Sequence, residues 1–304
     1  MRMSHSSDLP TTGVVGAGRV GSVLAARLRA AGYPVVAVSG SSPASQMRVE
    51  TLLPGVEITS PAEVVRSADL VLVAVPDDSL ARVAAELAVD ARPGQVVVHT
   101  SGRHGLAALA PFAERGARTI ALHPAMTFTG TGVDLDRSAV FGLTADDSVR
   151  EAAEQLVADL DGTPVWIAES DRALYHAALA HGANHLVTLV AQSMDVLRST
   201  GITDPAAVLR PLLTAALDNA LAYGDAALTG PVVRGDVETV ESHLAAFEAS
   251  SSPDATVESY VALARATAGR AESDGRLSWD QADRVRSVLD EADWDALATI
   301  AAGY

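Results

Sequence analysis

The sequence predicts an α/β chain in which a doubly wound parallel sheet is followed by an all-α domain. Three observations predict it. Up to about residue 168, short apolar strands alternate with helical stretches. A Gly-x-Gly-x-x-Gly turn (Gly16, Gly18, Gly21) stands between the first strand and the first helix. Beyond residue 171 there are only long segments of helical period. Wholly apolar strands separated by helices need burial on both faces and right-handed crossovers, which is the signature of a parallel sheet. The expected organisation is a disordered lead-in over residues 1–10, an α/β domain over 11–168 and a helical domain over 169–304.

Taken in order, residues 13–15 form the first strand and 19–31 the first helix, closed by Gly32. Strand 35–38 is next, then a short helix at 61–67 and a fully apolar strand at 70–75 ending at Pro76. Helix 79–88, strand 95–99, helix 106–114 and strands 119–122 and 140–143 continue the alternation. Helix 148–160 and strand 165–167 complete the domain. The helical half is read as 171–200, 205–223, 236–250, 254–271 and 278–290, with no convincing strand among them.

The 304 residues suffice for two domains with good cores. No apolar run approaches the roughly 20 residues needed to span a bilayer, and the first ten residues lack an apolar signal segment. With no cysteine there is no disulfide, thiolate metal site or thiol nucleophile, and the cytoplasm is the simplest compartment. A formal charge of −16 argues against a general nucleic-acid binder, which needs a basic face. All 22 basic residues are arginine. A lysine Schiff base or lysine general acid is therefore excluded.

The glycine turn carries the sharpest chemistry. Gly16 permits a tight turn, Gly18 lets backbone approach a pyrophosphate, and Gly21 lets helix pack close to strand. Arg19, Val20 and Gly21 then open a helix whose unpaired N–H groups and positive dipole end attract phosphate. Strand, turn and helix in this order predict a dinucleotide-binding turn, as in a Rossmann domain, over a merely structural glycine turn. Versions that take NAD place an acid about 20 positions on, against the ribose hydroxyls. Here the second strand runs into Ser39-Gly40-Ser41-Ser42. Hydroxyls without a carboxylate favour a 2′-phosphate, hence NADP(H), with Arg19 and more weakly Arg48 as charge partners. Val75-Pro76 and Thr100-Ser101-Gly102 end two further strands, on the sheet edge where such folds bind ligands.

Candidate catalytic groups lie further along the chain. His123-Pro124 ends a strand on the same edge, where an imidazole can bind a carboxylate, donate a proton or simply satisfy backbone groups. The first long helix carries Tyr175, His176, His181, Asn184 and His185. Helical spacing puts His176 and His181 roughly on one face with Asn184, whose amide suits a ligand carbonyl. No carboxylate falls at a metal-ligand spacing beside these histidines, so no metal is expected. Leu228-Thr229-Gly230-Pro231 leads to Arg234-Gly235-Asp236 and, two turns on, His243. Asp236 can cap the helix that follows, and Arg234 is either a carboxylate clamp, which the tight loop around it favours, or a surface arginine.

These segments together (the glycine turn, Thr100-Ser101-Gly102, His123-Pro124 with Thr127-Phe128, His176 with Asn184, and the Leu228–His243 block) resemble the bacterial Rossmann-like proteins that carry the C-terminal domain of unknown function 2520. The resemblance runs from about residue 12 to 289. That family is similar in turn to 6-phosphogluconate, β-hydroxyacid and ketopantoate dehydrogenases and to pyrroline-5-carboxylate reductase. It implies an N-terminal NADP-binding domain and a helical C-terminal domain, with dimers and an interdomain cleft for a small-molecule substrate. Relatives in the wider group often use a lysine four residues before a helical asparagine as general acid. Here that position is Ala180, so the role cannot transfer, and His176, His181, His123 or a water must supply any proton. The expected activity is NADPH-dependent reduction of a carboxylate-bearing carbonyl compound, such as ketopantoate, or of an imine. In it His176 protonates the product, Asn184 orients the carbonyl and Arg234 holds the carboxylate. A non-catalytic NADP(H) sensor, or a deazaflavin-linked NADP oxidoreductase, is the alternative.

Overall fold

A computed structural model describes residues 9–250 and 253–302, with side chains of 254 and 292–302 outside the description; most of the expected lead-in also lies outside it. The contacts divide the chain into two compact units, Met1–Gly182 and Ala183–Tyr304. The boundary expected from sequence is 168/169, so the first turns of the helical stretch belong instead to unit one.

Unit one is built on an eight-stranded sheet in the order β3-β2-β1-β4-β5-β6-β7-β8. Its strands are β1 Thr12–Val15, β2 Val35–Ser39, β3 Glu57–Ile58, β4 Leu70–Val73, β5 Val96–His99, β6 Arg118–Pro124, β7 Ala139–Ala145 and β8 Gly162–Trp166. The helices are α1 Arg19–Ala30, α2 Pro43–Leu52, α3 Pro61–Ser67, α4 Asp77–Leu87, α5 Ala110–Ala113, α6 Arg150–Asp159 and α7 Arg172–Leu179. Strands β1 to β6 are mutually parallel, and the chain reverses between β1 and β4 to give the switch point of a Rossmann sheet.

Successive strand residues face opposite ways and both faces are covered. Val14, Leu70, Leu72, Val98 and Leu122 pack with Leu24 and Leu28 of α1 and Val157 of α6. Val15, Val71, Val73 and Val97 pack with Val64, Val65, Leu80 and Phe112 on the other side. Carboxyl ends of β1, β4, β5 and β6 therefore share one sheet edge.

Three local differences from the sequence expectation have physical causes. The expected all-parallel sheet reverses at β7, which pairs antiparallel with β6, and β8 pairs with β7 in parallel. The 125–138 connection contains only a short 3-10 turn, Gly132–Asp134, so no crossover helix carries the chain back. Helix α2 is an element the strand-and-helix pattern does not predict. Ser42 caps it, accepting from the Ser45 N–H at 3.1 Å, and Pro43 occupies its first turn. The single helix expected over 171–200 is broken by a π turn at Ala180–Asn184. An inserted residue rotates the rest of the helix, so the α-helical spacing that grouped Asn184 with His176 and His181 does not run through.

Unit two contains α8 His185–Ser199, α9 Pro205–Tyr223, α10 Pro231–Arg234, α11 Val237–Glu248, α12 Asp254–Ser273 and α13 Trp279–Ala302. Its core comes from α10 to α13: Val232, Val240, Leu244, Val261, Ala268, Val285 and Leu289 are buried. Helix α8 buries no residue and α9 buries only Pro205.

Candidate functional site

The glycine turn is fastened from within unit one. Ser39 receives the Gly16 N–H on its hydroxyl at 3.2 Å, and its carbonyl receives the Ala17 N–H at 2.7 Å. Gly16 has φ 99°, and a Cβ there would stand 2.5 Å from the Ala74 carbonyl oxygen and 3.3 Å from Val75 Cγ1. A Cβ on Gly21 would collide with the Gly16 carbonyl. Around Gly18, by contrast, nothing lies within 4 Å of where a Cβ would be. Gly16 and Gly21 are thus required by the fold, whereas Gly18 keeps open a space the protein does not fill. Helix α1 starts there with no side-chain cap and no acid in its first turn. Free N–H groups, a positive dipole end and bare backbone suit a diphosphate.

The serines divide in role. The Ser39 hydroxyl is buried and occupied by the turn, and Ser42 is occupied in capping α2. Ser41 is exposed at the start of α2. The charge partners converge more clearly. A Cβ on Gly130, in the β6–β7 connection, would lie 2.8 Å from Arg19 Cγ and 2.9 Å from Arg48 Nε. Buried Asp134 holds that connection, accepting the Thr129 and Gly130 N–H groups at 2.8 Å each. Arg27 of α1 ties it down further by donating to the Leu135 and Arg137 carbonyls.

Past β4 and β5, the expected segments form the floor of this edge. Pro76 starts α4, and the Thr100 N–H donates to the Val73 carbonyl at 3.3 Å. His99 is fully buried; its Nδ1 accepts the Ser101 N–H at 3.1 Å, leaving Nε2 to donate to the Gly105 carbonyl at 3.0 Å. Burial, helped by the nearby Arg172 charge, pushes its pKa down to about 4. Arg172 is itself 0% exposed: Nη2 donates to the Ser101 carbonyl at 2.7 Å and Nη1 to Thr144 Oγ1 at 3.0 Å. Its Nε has no partner among the described residues. The turn after β5 is also clasped by Glu169, which accepts the Leu106 and Ala107 N–H groups.

Against this turn stand His123, Tyr175 and His176. The His123 and His176 rings meet edge-on at 5.6 Å, and His123 Nδ1 lies 3.1 Å from the Tyr175 hydroxyl. A Cβ on Gly102 would strike both imidazoles, so the glycine is what admits them. Burial, then the charges of His176 and Arg172, holds His123 down at about 4, neutral near pH 7. Burial pushes the Tyr175 phenol up, and Arg172 works against that. His176 Nδ1 is buried with no partner among the described residues. The structure thus sets His123, Tyr175 and His176 against the turn that holds Ser101 and Gly102, together with Arg172 and His99, which the sequence reading does not single out.

Asn184 and Arg234 belong to unit two. Asn184 is exposed, and Arg234, with its side chain 63% exposed, has Asp236 at 3.9 Å. Asp236 caps α11 through the Thr239 N–H. Unit two also has its own cavity of about 500 Å³, with a mostly apolar wall that includes Leu189, Leu209, Phe247 and Leu263. His243 and Tyr260 line it, paired at 2.9 Å.

Sheet order, switch point and glycine turn define a Rossmann-type chain with an appended helical unit. A Rossmann-like domain model matches residues 5–124, and a model described as a domain of unknown function (DUF2520) matches residues 139–267. The chain thus matches both domain models in succession, the Rossmann-like one before the other. Among solved structures it is similar to a provisionally assigned NADP oxidoreductase from Bacteroides fragilis, at 22% identity and TM-score 0.71, covering 85% of this chain and 98% of the other. A Thermotoga maritima protein is similar at 21% identity and TM-score 0.62, covering 87% and 99%. An Aspergillus terreus reductive aminase, solved with NADPH and ethyl-5-oxohexanoate, is similar at 14% identity and TM-score 0.58, covering 95% of each chain. No curated protein matches the chain.

Proposed function

We propose that the chain is an NADP(H)-dependent oxidoreductase that reduces a small carboxylate-bearing carbonyl compound, of the 2-oxo acid class to which ketopantoate belongs, or an imine. The observation that carries the cofactor reading is the open backbone at Gly18, above an uncapped helix start. The meeting of Arg19 and Arg48 at Gly130 supports the 2′-phosphate form, because two guanidinium groups suit a dianion. Similarity to the NADPH-bound reductive aminase supports it from outside. Bound NADPH supplies the hydride. The chain's part is to bind the diphosphate at Gly16–Gly21, take the 2′-phosphate between Arg19, Arg48 and Ser41, and present a protonating group from the His123–Tyr175–His176 cluster.

In this reading Asn184 orients the substrate carbonyl and Arg234 holds its carboxylate. A second copy of the chain covers α8 and α9, whose apolar side chains Val187, Leu212 and Leu221 are exposed in one copy. The test is NADPH oxidation across 2-oxo acids and cyclic imines, with binding measured in parallel. Substituting His176 or Asn184 by Ala lowers turnover far more than NADPH affinity; equal loss of both refutes the roles. The absence of lysine favours one other reading, a non-catalytic NADP(H) sensor. That reading predicts tight NADPH binding with no oxidation by any compound in the panel.

A further inference from the structure

We infer that the Tyr175 hydroxyl is the proton donor of the reduction, with His123 as its hydrogen-bond partner and the buried Arg172 as the charge that stabilises its ionised form. The inference rests on the reductase reading. Three placements carry it. The phenol oxygen sits 3.1 Å from His123 Nδ1, on the strand register where His123 faces Gly142. A Cβ on Gly142 would come within 2.7 Å of the phenol oxygen, so a glycine in β7 makes the room it occupies. Arg172, one helical turn earlier on α7, is buried and forms no ion pair with any described carboxylate. A buried guanidinium without a counter-ion is costly, and a phenolate formed beside it offsets that cost.

The neighbouring groups fit a tyrosine donor better than a histidine one. A lysine is excluded by composition. His123 is neutral near pH 7, and a neutral imidazole is a poor acid but a good hydrogen-bond partner for a phenolate. A buried phenol carries its proton throughout the physiological range. The titratable or charged groups around it are His123 on β6 and Arg172 and His176 on α7. Glu169 and Asp77 act on Arg172 from further away.

The step balances simply. As hydride adds to the substrate carbon, the C=O or C=N electron pair takes the Tyr175 proton on oxygen or nitrogen. The phenolate that remains is held by Arg172 and the His123 Nδ1–H and recovers its proton from water. Dinucleotide oxidised and substrate reduced account for the two electrons.

The experiment compares wild type, Tyr175→Phe and His176→Asn as full-length proteins. Three quantities are read: NADPH affinity by fluorescence, the pH profile of kcat/KM for whichever panel compound is reduced, and phenolate absorbance against pH. Tyr175→Phe is expected to lower kcat by about 100-fold or more, in the range of lost general acid catalysis. NADPH affinity stays unchanged, and the basic limb of the profile disappears. The phenolate difference spectrum, wild type minus Tyr175→Phe, is expected to have its midpoint at that limb. A Tyr175→Phe enzyme that keeps its rate and its limb overturns the inference alone, as does loss of the limb in His176→Asn instead. A phenolate midpoint away from the limb also overturns it. Wild type that binds NADPH yet oxidises it with no panel compound overturns the reductase reading, and the donor role with it.

Discussion

Arg19 and Arg48 come from different helices and meet at one glycine: a Cβ on Gly130 would be within 3 Å of both side chains. The β6–β7 connection thereby meets both α1 and α2 at these arginines. Neither arginine has an ion-pair partner among the described residues, so both charges are available to a ligand. Removing one charge-assisted contact costs about 1.5–3 kcal/mol, or roughly 10- to 150-fold in affinity. Arg19→Ala and Arg48→Ala are each expected to weaken NADPH binding by that order while leaving NADH binding nearly unchanged. Equal weakening of both dinucleotides, by fluorescence titration, would refute the assignment.

Gly21 and Gly18 of the turn should separate experimentally. Gly21→Ala drives a methyl into the Gly16 carbonyl and is expected to destabilise unit one by about 1–3 kcal/mol, as overpacking does, seen as a lowered Tm. Gly18→Ala meets only open space. It should leave Tm almost unmoved and lower dinucleotide affinity strongly. A Gly18→Ala protein that binds NADPH normally would show that the open space is not the diphosphate site.

How far these features can be read from sequence depends on the physics behind each. The central strands of unit one are legible because both of their faces are buried, as in Leu70–Val73, where all four positions are apolar. Direction is not written in such a run, which is why the reversal at β7 escapes a sequence reading. Its trace is the helix-free connection over 125–138. Helix α2 escapes because it buries only Ser45 and Val49, though Ser42-Pro43 is a start signal. The π turn is hidden in a stretch that reads as helical throughout. At the site, Gly16, Gly18, Gly21, His123 and His176 are legible from motif and position. Arg172 is not, since an arginine opening a helix normally lies in solvent. Its burial is a property of the packed turn around Ser101 and Thr144.

Burial of His99 ties the site to acid stability. Its pKa is about 4 in the fold against about 6.5 in the unfolded chain, so between those values the unfolded state binds more protons. The stability due to the neutral ring is complete above pH 6.5 and is lost as pH falls toward 4. The total is about 3 kcal/mol at the usual free energy per pKa unit. Denaturant unfolding at several pH values should show this slope. His99→Gln, which keeps a donor and an acceptor, should make it about half as steep, the remainder coming from His123, whose pKa burial also holds at about 4. An unchanged slope would mean that other groups carry the acid sensitivity.

Helices α8 and α9 bury almost nothing in a single copy, although α9 carries Leu212, Leu217, Leu221 and Tyr223 in exposed positions. Apolar side chains in such number on one helix are seldom left to water, and the proposed second copy accounts for them. Each leucine buried in that contact contributes about 1.5–3 kcal/mol. Leu217→Asp and Leu221→Asp are expected to raise the dimer dissociation constant by at least about 10-fold each. The core of unit two comes from α10 to α13, so its folding should survive both changes. Sedimentation equilibrium reads the outcome directly. A wild-type chain that remains monomeric at micromolar concentration, or a dimer indifferent to both substitutions, places the contact elsewhere.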